Sequence, residues 1–530
     1  MHSVLILAAE NAAVPGGKVG GIGDVVRDLP LALARGGRQC TVLTPGYGVF
    51  GRLAGAKKIG RVRTDFGGAS EVLDLYRLPG NVDSVEYLAL EHPLFAACGA
   101  GRIYCSDPKD RPFATDATRF ALFSAAAAAY VTGLGNKPSV VHLNDWHTAF
   151  YLLLRAFDPA QKALLPIRTV YTIHNLALQG IRPLADDPSS LETWFPKLEY
   201  RLSAVVDPRY KDCMNAMAIG IRLADAVNTV SPTYLAEITT PGHDHSEGLA
   251  NELALPAREH RLFGILNGCD YPERKTRKPS FKTLLQLATR SVRNWMGNTR
   301  SLPTALYLAE RKLAALPARR PAMIVTSIGR LTPQKARLFL EPLPARNSGE
   351  QSVRDATGVT HEDTPLERIL SEAGSDVCII ILGSGDPEIE VAISRISVTH
   401  ANLIFLNGFD EQLADALYAI GDLFLMPSTF EPCGISQMLA MRAGQPCVVN
   451  DVGGLHDTVN DNVNGFVFSG DTIEQQAEAF VARIHEAITL KRNDPDGYKA
   501  MRQQAASARF SWDAAAREYD EKLYREQQIG

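Results

Sequence analysis

The chain has 530 residues, which is too long for one hydrophobic core, so we expect two large domains with additions. Its 45% hydrophobic and 22% charged residues are typical of an ordinary globular protein and exclude a fibrous or disordered chain. The formal net charge of −4 argues against a general affinity for nucleic acid or anionic membranes. Any anionic ligand must therefore be held by local basic groups.

The cysteines and the N-terminus bear on the cellular compartment. Eight cysteines are scattered along the chain without a CxxC pair, which predicts reduced thiols and neither a disulfide framework nor a zinc site. The N-terminal SVLILAAE is too short for a signal peptide and predicts a first strand. No apolar run approaches the ~18 residues that span a bilayer. We therefore expect a cytoplasmic protein.

The first part of the chain predicts a strand, a glycine-rich loop and a helix. Residues 3–8 form a buried parallel strand, the glycines of 16–23 keep that stretch in a loop, and 24–34 follow helical spacing. This arrangement brings backbone NH groups against a phosphate or a sugar. The loop lacks the GxGxxG pattern, so a dinucleotide site is not favoured. The alternative is that the glycines only let helix and strand pack closely.

Later segments of the first half extend the same α/β pattern. Residues 40–44 predict a second strand, and 47–112 predict an antiparallel excursion or an elaborated loop. An alanine-rich helix is expected at 119–133. Both 139–157 and 167–180 begin as β-rich runs that lead into polar clusters, which is where a doubly wound sheet places its ligands.

The second half predicts a further domain of the same kind. We divide the chain into a Rossmann-like domain at 1–270, a basic helical linker at 271–320, a second Rossmann-like domain at 321–505 and a C-terminal helix at 506–530. That helix carries aromatic residues that require a surface on which to pack. The polar stretch 341–365 is predicted to be an exposed insertion loop.

The stretch 427–449 places an acid where such sheets bind ligands. Glu431 lies in a turn closed by Pro432 and Gly434, between an apolar strand at 423–426 and a helical run at 435–443. The helix start favours an anion, and a glutamate there suits a ligand with both hydroxyls and phosphates. The alternative is a carboxylate that only stabilises its own helix.

Two cations flank a second turn of this kind. Arg330 and Lys335, in GRLTPQK, lie around a strand-to-helix turn, where both can face one diphosphate and neutralise it without a metal. By themselves, two such residues are more often a solvated surface. Together with the Glu431 turn they predict half of a nucleotide-sugar site.

Several short motifs follow one another along the chain. They are KVGGIGDV at 18–25, HLNDWH at 142–147, TIHN at 172–175, LNG at 266–268, GRLTPQK at 329–335 and FEPCGISQ at 430–437. In sequence and order these motifs resemble those of the bacterial glycogen synthase and plant starch synthase family. The resemblance extends to FSWDAAAREY near the C-terminus. The resemblance implies an α/β fold of GT-B type, with two Rossmann-like domains facing across a cleft and a C-terminal helix crossing back to the first.

The resemblance also implies a reaction and its partners. A member transfers glucose from a nucleotide donor, ADP-glucose in bacteria, to the 4-hydroxyl at the non-reducing end of an α-1,4-glucan with retention of configuration. Charge stabilisation of the departing diphosphate then matters more than a strong general base. We expect no metal and no cofactor, a glycogen-like acceptor, and neither nucleic acid nor membrane as partner. The choice of ADP-glucose over UDP-glucose and the oligomeric state stay open.

Residue roles follow from the resemblance position by position. Arg330 and Lys335 are implied to hold the diphosphate, and Glu431 to contact the donor sugar. Asp145 is implied on the acceptor side and His174 near the glucose. The further implied substrate-binding positions are Lys18, Gly20, Gly21, Asp24, Asn267, Phe409, Gly434, Gly453 and Gly454. Among these, Phe409 is implied to stack on the nucleobase.

The chain departs from the family pattern at several positions. Thr429 stands where Arg is usual, Val452 replaces the Thr of TGGL, Ala336 replaces the Gly of QKG, and a Trp-x-Pro after LNGCD is missing. These departures keep alternatives open: a transferase or epimerase using UDP-glucose or another nucleotide sugar, or a glucan-binding protein without turnover. Metal binding by the histidines of 243–247, or by His142 with His147, is a further alternative that the spacing disfavours.

Overall fold

The computed structural model describes residues 3–80, 82, 84–241, 244–271, 278–298, 303–316, 319–344 and 363–525. They form two compact units, one made of Met1–Asp270 with Phe510–Gly530 and the other of Tyr271–Arg509. Each unit is built on a largely parallel sheet with helices packed on it, which confirms the predicted α/β class. No helix of these described ranges is long and apolar enough to cross a bilayer.

The first unit is organised around one large sheet with the strand order β11-β10-β7-β6-β1-β2-β5-β4-β3. The pairs from β11 to β5 are parallel, and β5, β4 and β3 pair antiparallel, so the predicted antiparallel excursion is confirmed. The strands are β1 Ser3–Leu7, β2 Gln39–Pro45, β3 Lys57–Phe66, β4 Ala69–Arg77, β5 Val85–Glu91, β6 Val140–Asn144, β7 Arg168–Ile173, β8 Ile181–Pro183, β9 Cys213–Asn215, β10 Ala226–Thr229 and β11 Leu262–Gly264.

The central parallel strands of this sheet are buried along almost their whole length, as expected for a sheet with helices packed on it. The helices of the first unit are α1 Gly21–Arg35, α2 Ala114–Gly133, α3 Phe150–Phe157, α4 Leu191–Trp194, α5 Leu202–Val205, α6 Ala216–Leu223, α7 Pro232–Thr239 and α8 Ala250–Arg258. The prediction that all the glycines of 16–23 stay in the loop was wrong at its end. Helix α1 begins at Gly21 and includes Gly23, because Glu10 accepts the NH groups of Val19 and Gly20 and fixes the chain just before the first turn.

The second unit repeats this architecture with the strand order β14-β13-β12-β15-β16-β17, all parallel. Its strands are β12 Met323–Ile328, β13 Val377–Gly383, β14 Leu403–Asn407, β15 Leu423–Met426, β16 Cys447–Asn450 and β17 Gly465–Phe468. Its helices are α9 Phe281–Gly297, α10 Thr304–Ala315, α11 Pro333–Leu340, α12 Pro365–Ala373, α13 Pro387–Thr399, α14 Glu411–Ile420, α15 Ser436–Arg442, α16 Gly453–His456, α17 Ile473–Asn493 and α18 Pro495–Ser507.

Helices α9 and α10 occupy the basic segment that the sequence suggested as a linker. Ser291 of α9 donates to Asp410 at the start of α14 over 2.7 Å. Lys312 of α10 donates to the carbonyl oxygens of His400 and Leu403 at 2.7 and 2.8 Å. The two helices therefore belong to the second unit. Most of the predicted insertion, 345–362, lies outside the described residues.

The C-terminal segment packs within the first unit. It forms α19 Trp512–Glu518 and a π-helical stretch, Tyr519–Tyr524. Tyr524 OH lies 2.8 Å from His142 Nδ1, Asn228 donates to Tyr519 OH over 3.0 Å, and Arg38 pairs with Asp520. These contacts bury the aromatic side chains that the sequence marked as needing a surface.

The prediction that all cysteines are reduced was wrong for one pair. Cys98 and Cys105 form a disulfide in the first unit, and the remaining six cysteines are free. The two cysteines lie between a short 3₁₀ helix, Pro93–Ala96, and helix α2. The turn there brings these two positions of the irregular region 47–112 together. Scattered spacing alone does not reveal such a pair.

Candidate active site

The second unit has a topological switch point between β12 and β15. Strands β13 and β14 lie on one side of this pair, and β16 and β17 lie on the other. Open α/β sheets bind ligands outside the carboxyl ends of the strands at such a point. A pocket opens there, and its lining includes Gly329, Arg330, Lys335 and Ser428.

Lys335 and Glu431 form an ion pair at this pocket. Lys335 Nζ lies 3.0 Å from Glu431 Oε2, and Ser428 Oγ donates to the same oxygen at 3.0 Å. Glu431 is 6% exposed, while about a quarter of the Lys335 side chain (27%) reaches solvent. Within the described ranges, no hydrogen bond engages Glu431 Oε1. This oxygen is therefore available to accept from a ligand hydroxyl, with the carboxylate held by its other oxygen.

Arg330 adds a second cation beside this pair. It follows β12 and is exposed, and its guanidinium has no hydrogen-bond or ion-pair partner in the part of the chain that the structure describes. A guanidinium has five donors in a planar fork that matches phosphate oxygens. Together, Arg330 and Lys335 can compensate the charge of a diphosphate.

Thr429, a departure from the family pattern, joins the two loops of this site. Its backbone NH and its Oγ1 both donate to the carbonyl oxygen of Gln334, at 2.8 and 3.2 Å. Gln334 Nε2 in turn donates to the carbonyl oxygen of Phe430 over 2.8 Å. Thr429 thus fixes the Glu431 turn against the start of α11. Ala336, another departure, is buried in the core of this unit.

Gly453 and Gly454 pack against the backbone of the Glu431 turn. The NH of Gly454 donates to the carbonyl oxygen of Glu431 over 3.0 Å. Gly453 has φ +44°, and a Cβ there would collide with that same oxygen. Gly434, at φ +75°, has no room for a Cβ because the Gln437 side chain lies against it. Val452 precedes α16 without the side-chain cap that a threonine would supply.

We expect Gly453→Ala to lower glucose transfer by about 100-fold, because its Cβ displaces Glu431 and its φ is strained for alanine. Gly297→Ala is the matched control, since a Cβ at Gly297 meets no atom within 4 Å. Steady-state rates of both purified variants check this. Equal activity of the two alanine variants would contradict the close packing described for Gly453.

Phe409 lies apart from this cluster. It follows β14, two strands away from β12, and its side chain is 62% exposed. Asp410, which caps α14, holds the loop in place through Ser291. An exposed ring on an anchored loop can stack on a flat base. The structure does not bring Phe409 into contact with Glu431.

In the first unit, Glu10 organises the glycine-rich loop, and the sequence reasoning missed it. Its Oε2 accepts from the NH groups of Val19 and Gly20 at 2.8 and 2.6 Å, and its Oε1 accepts from Tyr104 OH at 2.7 Å. Glu10 is 2% exposed. A buried acid directly after β1 was the available signal, since such a group requires several donors.

Lys18 and Asp24 lie on either side of the α1 N-terminus. Lys18 Nζ is 2.7 Å from Asp24 Oδ2, and Arg27 pairs with the same carboxylate at 3.2 Å. Gly20 caps the helix, and a Cβ at Gly21 would meet no atom within 4 Å, so the loop is open at that point. The structure thus places these four predicted residues together at one helix start.

Asp145 and His174 form a second cluster at the carboxyl ends of β6 and β7. Asp145 has a strained backbone, with φ +54°, and its Oδ1 accepts from the His174 NH over 2.7 Å. Burial raises the pKa of Asp145 to about 8 and lowers the pKa of His174 to about 3. His174 Nε2 lies 2.9 Å from Asn144 Oδ1, whose amide nitrogen donates to Leu7. Nε2 is therefore the protonated nitrogen, which leaves Nδ1 as an acceptor.

Asn267 follows β11 and is 4% exposed. Its Oδ1 is buried and has no hydrogen-bond partner among the described residues. Leaving such an oxygen unpaired costs about 1–3 kcal/mol, so a ligand donor there is favoured.

Buried histidines make the stability of the first unit depend on pH. Burial lowers the pKa values of His142, His147 and His174 to about 3, whereas the ordinary value is 6.5. Between these values the unfolded chain binds protons that the folded chain does not, so stability rises with pH from about 3 to about 6.5. Asp145 has the opposite effect, because its pKa is raised from 3.8 to about 8 in the folded chain. Its contribution to stability therefore falls as the pH rises from 3.8 to about 8.

We therefore expect the urea midpoint to rise as the pH increases from about 4 to 6.5. Each buried histidine contributes a slope of about 1.4 kcal/mol per pH unit where only the unfolded chain is protonated. His147 lies among the rings of Tyr104, Phe120 and Trp146, so His147→Phe keeps the packing and should reduce this slope. Exposed His260→Gln is the control and should leave it unchanged. If the native protein and both variants gave the same slope, the pH dependence could not be assigned to His147.

The metal alternatives find little support in the geometry. No group of three potential metal ligands occurs in the described part of the chain. His142 binds Tyr524 OH and Thr172 Oγ1, and His147 stacks on Trp146 with a centroid separation of 4.3 Å. Of the polar loop 243–247, His243 lies outside the described residues.

Comparison with known proteins gives consistent matches along the chain. A family model described as "Starch synthase catalytic domain" matches residues 3–254, and one described as "Glycosyl transferases group 1" matches 363–488. The glycogen synthase of Anaeromyxobacter dehalogenans (strain 2CP-C) is 34% identical over 98% of this chain and 99% of its own. That of Streptococcus equi subsp. equi (strain 4047) is 31% identical over 97% and 98%.

Two solved structures are also similar to the chain. The catalytic domain of starch synthase IV from Arabidopsis thaliana, bound to ADP and acarbose, has a TM-score of 0.73 and 27% identity, covering 99% of this chain and 98% of that one. Sucrose-phosphate synthase from Thermosynechococcus elongatus, at 16% identity and TM-score 0.53 over 98% of both chains, shares the fold.

Two Rossmann-like sheets of the GT-B type, with cations and an acid at the second sheet's switch point, define a glycosyltransferase. The chain belongs to the glycogen synthase and starch synthase family, and its activity is that of a glycogen (starch) synthase, which uses a nucleotide-sugar donor and a glucan acceptor. The predicted family and fold class are confirmed. The residue roles carried over from the family stay predictions.

Proposed function

We propose that this synthase takes ADP-glucose as its donor and adds glucose to the 4-hydroxyl at the non-reducing end of an α-1,4-glucan, with retention of configuration. The observation that carries this proposal is the Lys335–Glu431 pair, 3.0 Å apart at the switch point. The ADP in the related starch synthase IV structure supports the choice of nucleotide.

On the donor side, Lys335 and Arg330 bind the diphosphate and stabilise the charge that develops as it leaves. Preorganised cations of this kind supply much of the rate enhancement in such a reaction. Glu431 accepts from hydroxyls of the donor glucose through Oε1, with its orientation set by Ser428 and Lys335. Phe409 stacks on the base.

The first unit contributes the groups that hold the glucose and the acceptor. Lys18 and the open backbone at Gly21 approach the phosphate and the sugar, with Gly20 held beside them by Glu10, and Asp24 positions Lys18. Neutral His174 and Asn267 each offer an acceptor to sugar hydroxyls. Burial raises the pKa of Asp145 to about 8, so this residue is largely protonated at neutral pH. In this proposal it orients the acceptor glucan.

We propose that no metal ion or cofactor enters this scheme and that Arg330 and Lys335 are the groups that meet the diphosphate. We further propose that the protein acts in the cytoplasm, where nucleotide sugars are made and used, and without nucleic acid or membrane as partner.

The test is incorporation of labelled glucose into glycogen from ADP-glucose and, separately, from UDP-glucose. We expect label from ADP-glucose, unchanged by EDTA, and loss of label in Glu431→Ala. Glu411→Ala is the matched control, because Glu411 also follows a strand of this sheet closely but is exposed. Preference for UDP-glucose would overturn the donor assignment, and EDTA-sensitive transfer restored by Mg²⁺ would overturn the metal-free scheme.

A further inference from the structure

A disulfide-closed loop lies directly beside the residues that hold the glycine-rich loop. Residues 98–105, here the 98–105 loop, are closed by the Cys98–Cys105 disulfide. Tyr104 lies inside this ring, and its hydroxyl donates to Glu10 Oε1 over 2.7 Å. Because Glu10 also accepts the NH groups of Val19 and Gly20, a short path of contacts joins the disulfide to the start of α1.

The disulfide is placed where a reductant can reach it. Both cysteines are partly exposed, and Gly99 and Ala100 between them are exposed. Of the six free cysteines, five are buried, and Cys213 is partly exposed. A small thiol reagent therefore meets the Cys98–Cys105 pair and Cys213 before any other sulfur.

A buried cation lies against the two sulfur atoms. Arg119 Nη1 is 3.0 Å from Cys105 Sγ and 3.6 Å from Cys98 Sγ, and the side chain is fully buried. A guanidinium beside a sulfur stabilises the thiolate, which makes that sulfur the better leaving group in thiol–disulfide exchange. Arg119 also pairs with Asp116 at 2.8 Å, so part of its charge is compensated, but its contact with Cys105 Sγ still favours release of that sulfur as the thiolate.

We propose that the Cys98–Cys105 disulfide is a redox-responsive element that controls the position of Tyr104 and, through Glu10, the order of the glycine-rich loop. A dithiol reductant attacks Cys98 Sγ as its thiolate, the S–S bond breaks, and Cys105 leaves as a thiolate beside Arg119. The reductant's second thiolate then displaces Cys98 and departs as a cyclic disulfide, so that two electrons pass to the protein. A small disulfide oxidant reverses both steps.

Reduction should loosen the loop without unfolding it. Arg119 also donates to the carbonyl oxygens of Phe95 and Arg102 at 2.6 and 2.8 Å, and these bonds do not depend on the disulfide. The change therefore falls on Tyr104 and its contact with Glu10. In the cytoplasm, where thiols are kept reduced, a partly exposed disulfide of this kind is typically a sensor rather than a structural bond. Its effect on catalysis rests on the proposed role of the glycine-rich loop.

The test compares the full-length protein in reduced and oxidised dithiothreitol. Peptide mapping measures the Cys98–Cys105 bond, hydrogen exchange measures the NH groups of Val19 and Gly20, and labelled glucose transfer measures activity. We expect reduction to increase exchange in the glycine-rich loop and to lower transfer by about three- to tenfold. The doubly substituted Cys98→Ser, Cys105→Ser protein should behave like the reduced protein in both buffers. Cys213→Ser, the matched control, should keep the native response.

These measurements distinguish failure of the redox proposal from failure of the proposed role of the glycine-rich loop. Absence of the bond in oxidant, or loop exchange that is equal in both buffers, would overturn the redox element. Redox-dependent exchange with unchanged glucose transfer would support the redox element and instead contradict the proposed role of the glycine-rich loop. If the double variant does not fold, chemical reduction of the native chain still decides between these results.

Discussion

Lys335→Ala is expected to lower kcat/KM for glucose transfer by about 1,000-fold. The substitution removes a cation from the proposed diphosphate site, and loss of one preorganised group at a developing charge costs about 100- to 1,000-fold. It also leaves Glu431, 6% exposed, with Ser428 as its remaining hydrogen-bond donor. We therefore expect the loss of this partner of a buried carboxylate to destabilise the second unit by about 3 kcal/mol as well.

Arg337→Ala is the control for this experiment. Arg337 lies on the same helix two residues further on, but it pairs with Glu341 at the surface and its side chain is 53% exposed. Its removal should leave transfer within about twofold of the native rate, since exposed pairs contribute little. Circular dichroism of each variant separates loss of catalysis from loss of fold. If Lys335→Ala turned over like Arg337→Ala, Lys335 would not act on the diphosphate.

Glu10→Ala is expected to have the second large effect. Three donors, the NH groups of Val19 and Gly20 and the hydroxyl of Tyr104, lose their common acceptor. These donors are only partly buried, so each loss costs less than the ~1–3 kcal/mol of a fully buried donor, and the first unit should lose about 2 kcal/mol of unfolding free energy. Transfer should fall by about 100-fold, because the glycine-rich loop, which we propose to lie against the donor, is no longer held at the start of α1.

Glu10→Gln separates geometry from charge. Its amide oxygen can accept from both backbone NH groups, while its NH₂ group donates to Tyr104, whose hydroxyl can accept. We therefore expect Gln to retain most of the stability and a transfer rate within about tenfold of native. Urea unfolding followed by tryptophan fluorescence, together with transfer assays, checks both variants. Equal losses in Ala and Gln would mean that the negative charge of Glu10, and not its hydrogen bonds, is what matters.

The local structure around Glu431, Arg330 and Lys335 could be predicted closely from the sequence. The predicted strand at 423–426 is β15, and the helical run at 435–443 became α15 Ser436–Arg442. Proline and glycine next to an apolar run define such a turn by local sterics, so Glu431 could be placed at the strand end. Arg330 and Lys335 were predictable for the same reason. The adjacency of β12 and β15, which brings these residues together, follows from the topology of parallel sheets.

The part that could not be predicted depends on contacts between distant residues. Glu10 and Tyr104 are 94 positions apart, and Tyr104 lies in the irregular region whose path the sequence left open. The disulfide could not be predicted either, since eight cysteines allow many pairings. The start of α1 was placed too late because glycines were weighed by their propensity alone, whereas Glu10 fixes the chain ahead of the helix.

The division of the chain into units has a consequence for how the protein is made. The first unit takes its final residues, including buried Tyr519, Leu523 and Tyr524, from beyond the whole of the second. At a synthesis rate of ~5–20 residues per second, its core waits roughly ten to fifty seconds for these side chains. The second unit is continuous in sequence and emerges complete during that wait. Translation order therefore favours folding of the second unit before the first unit has received its last residues.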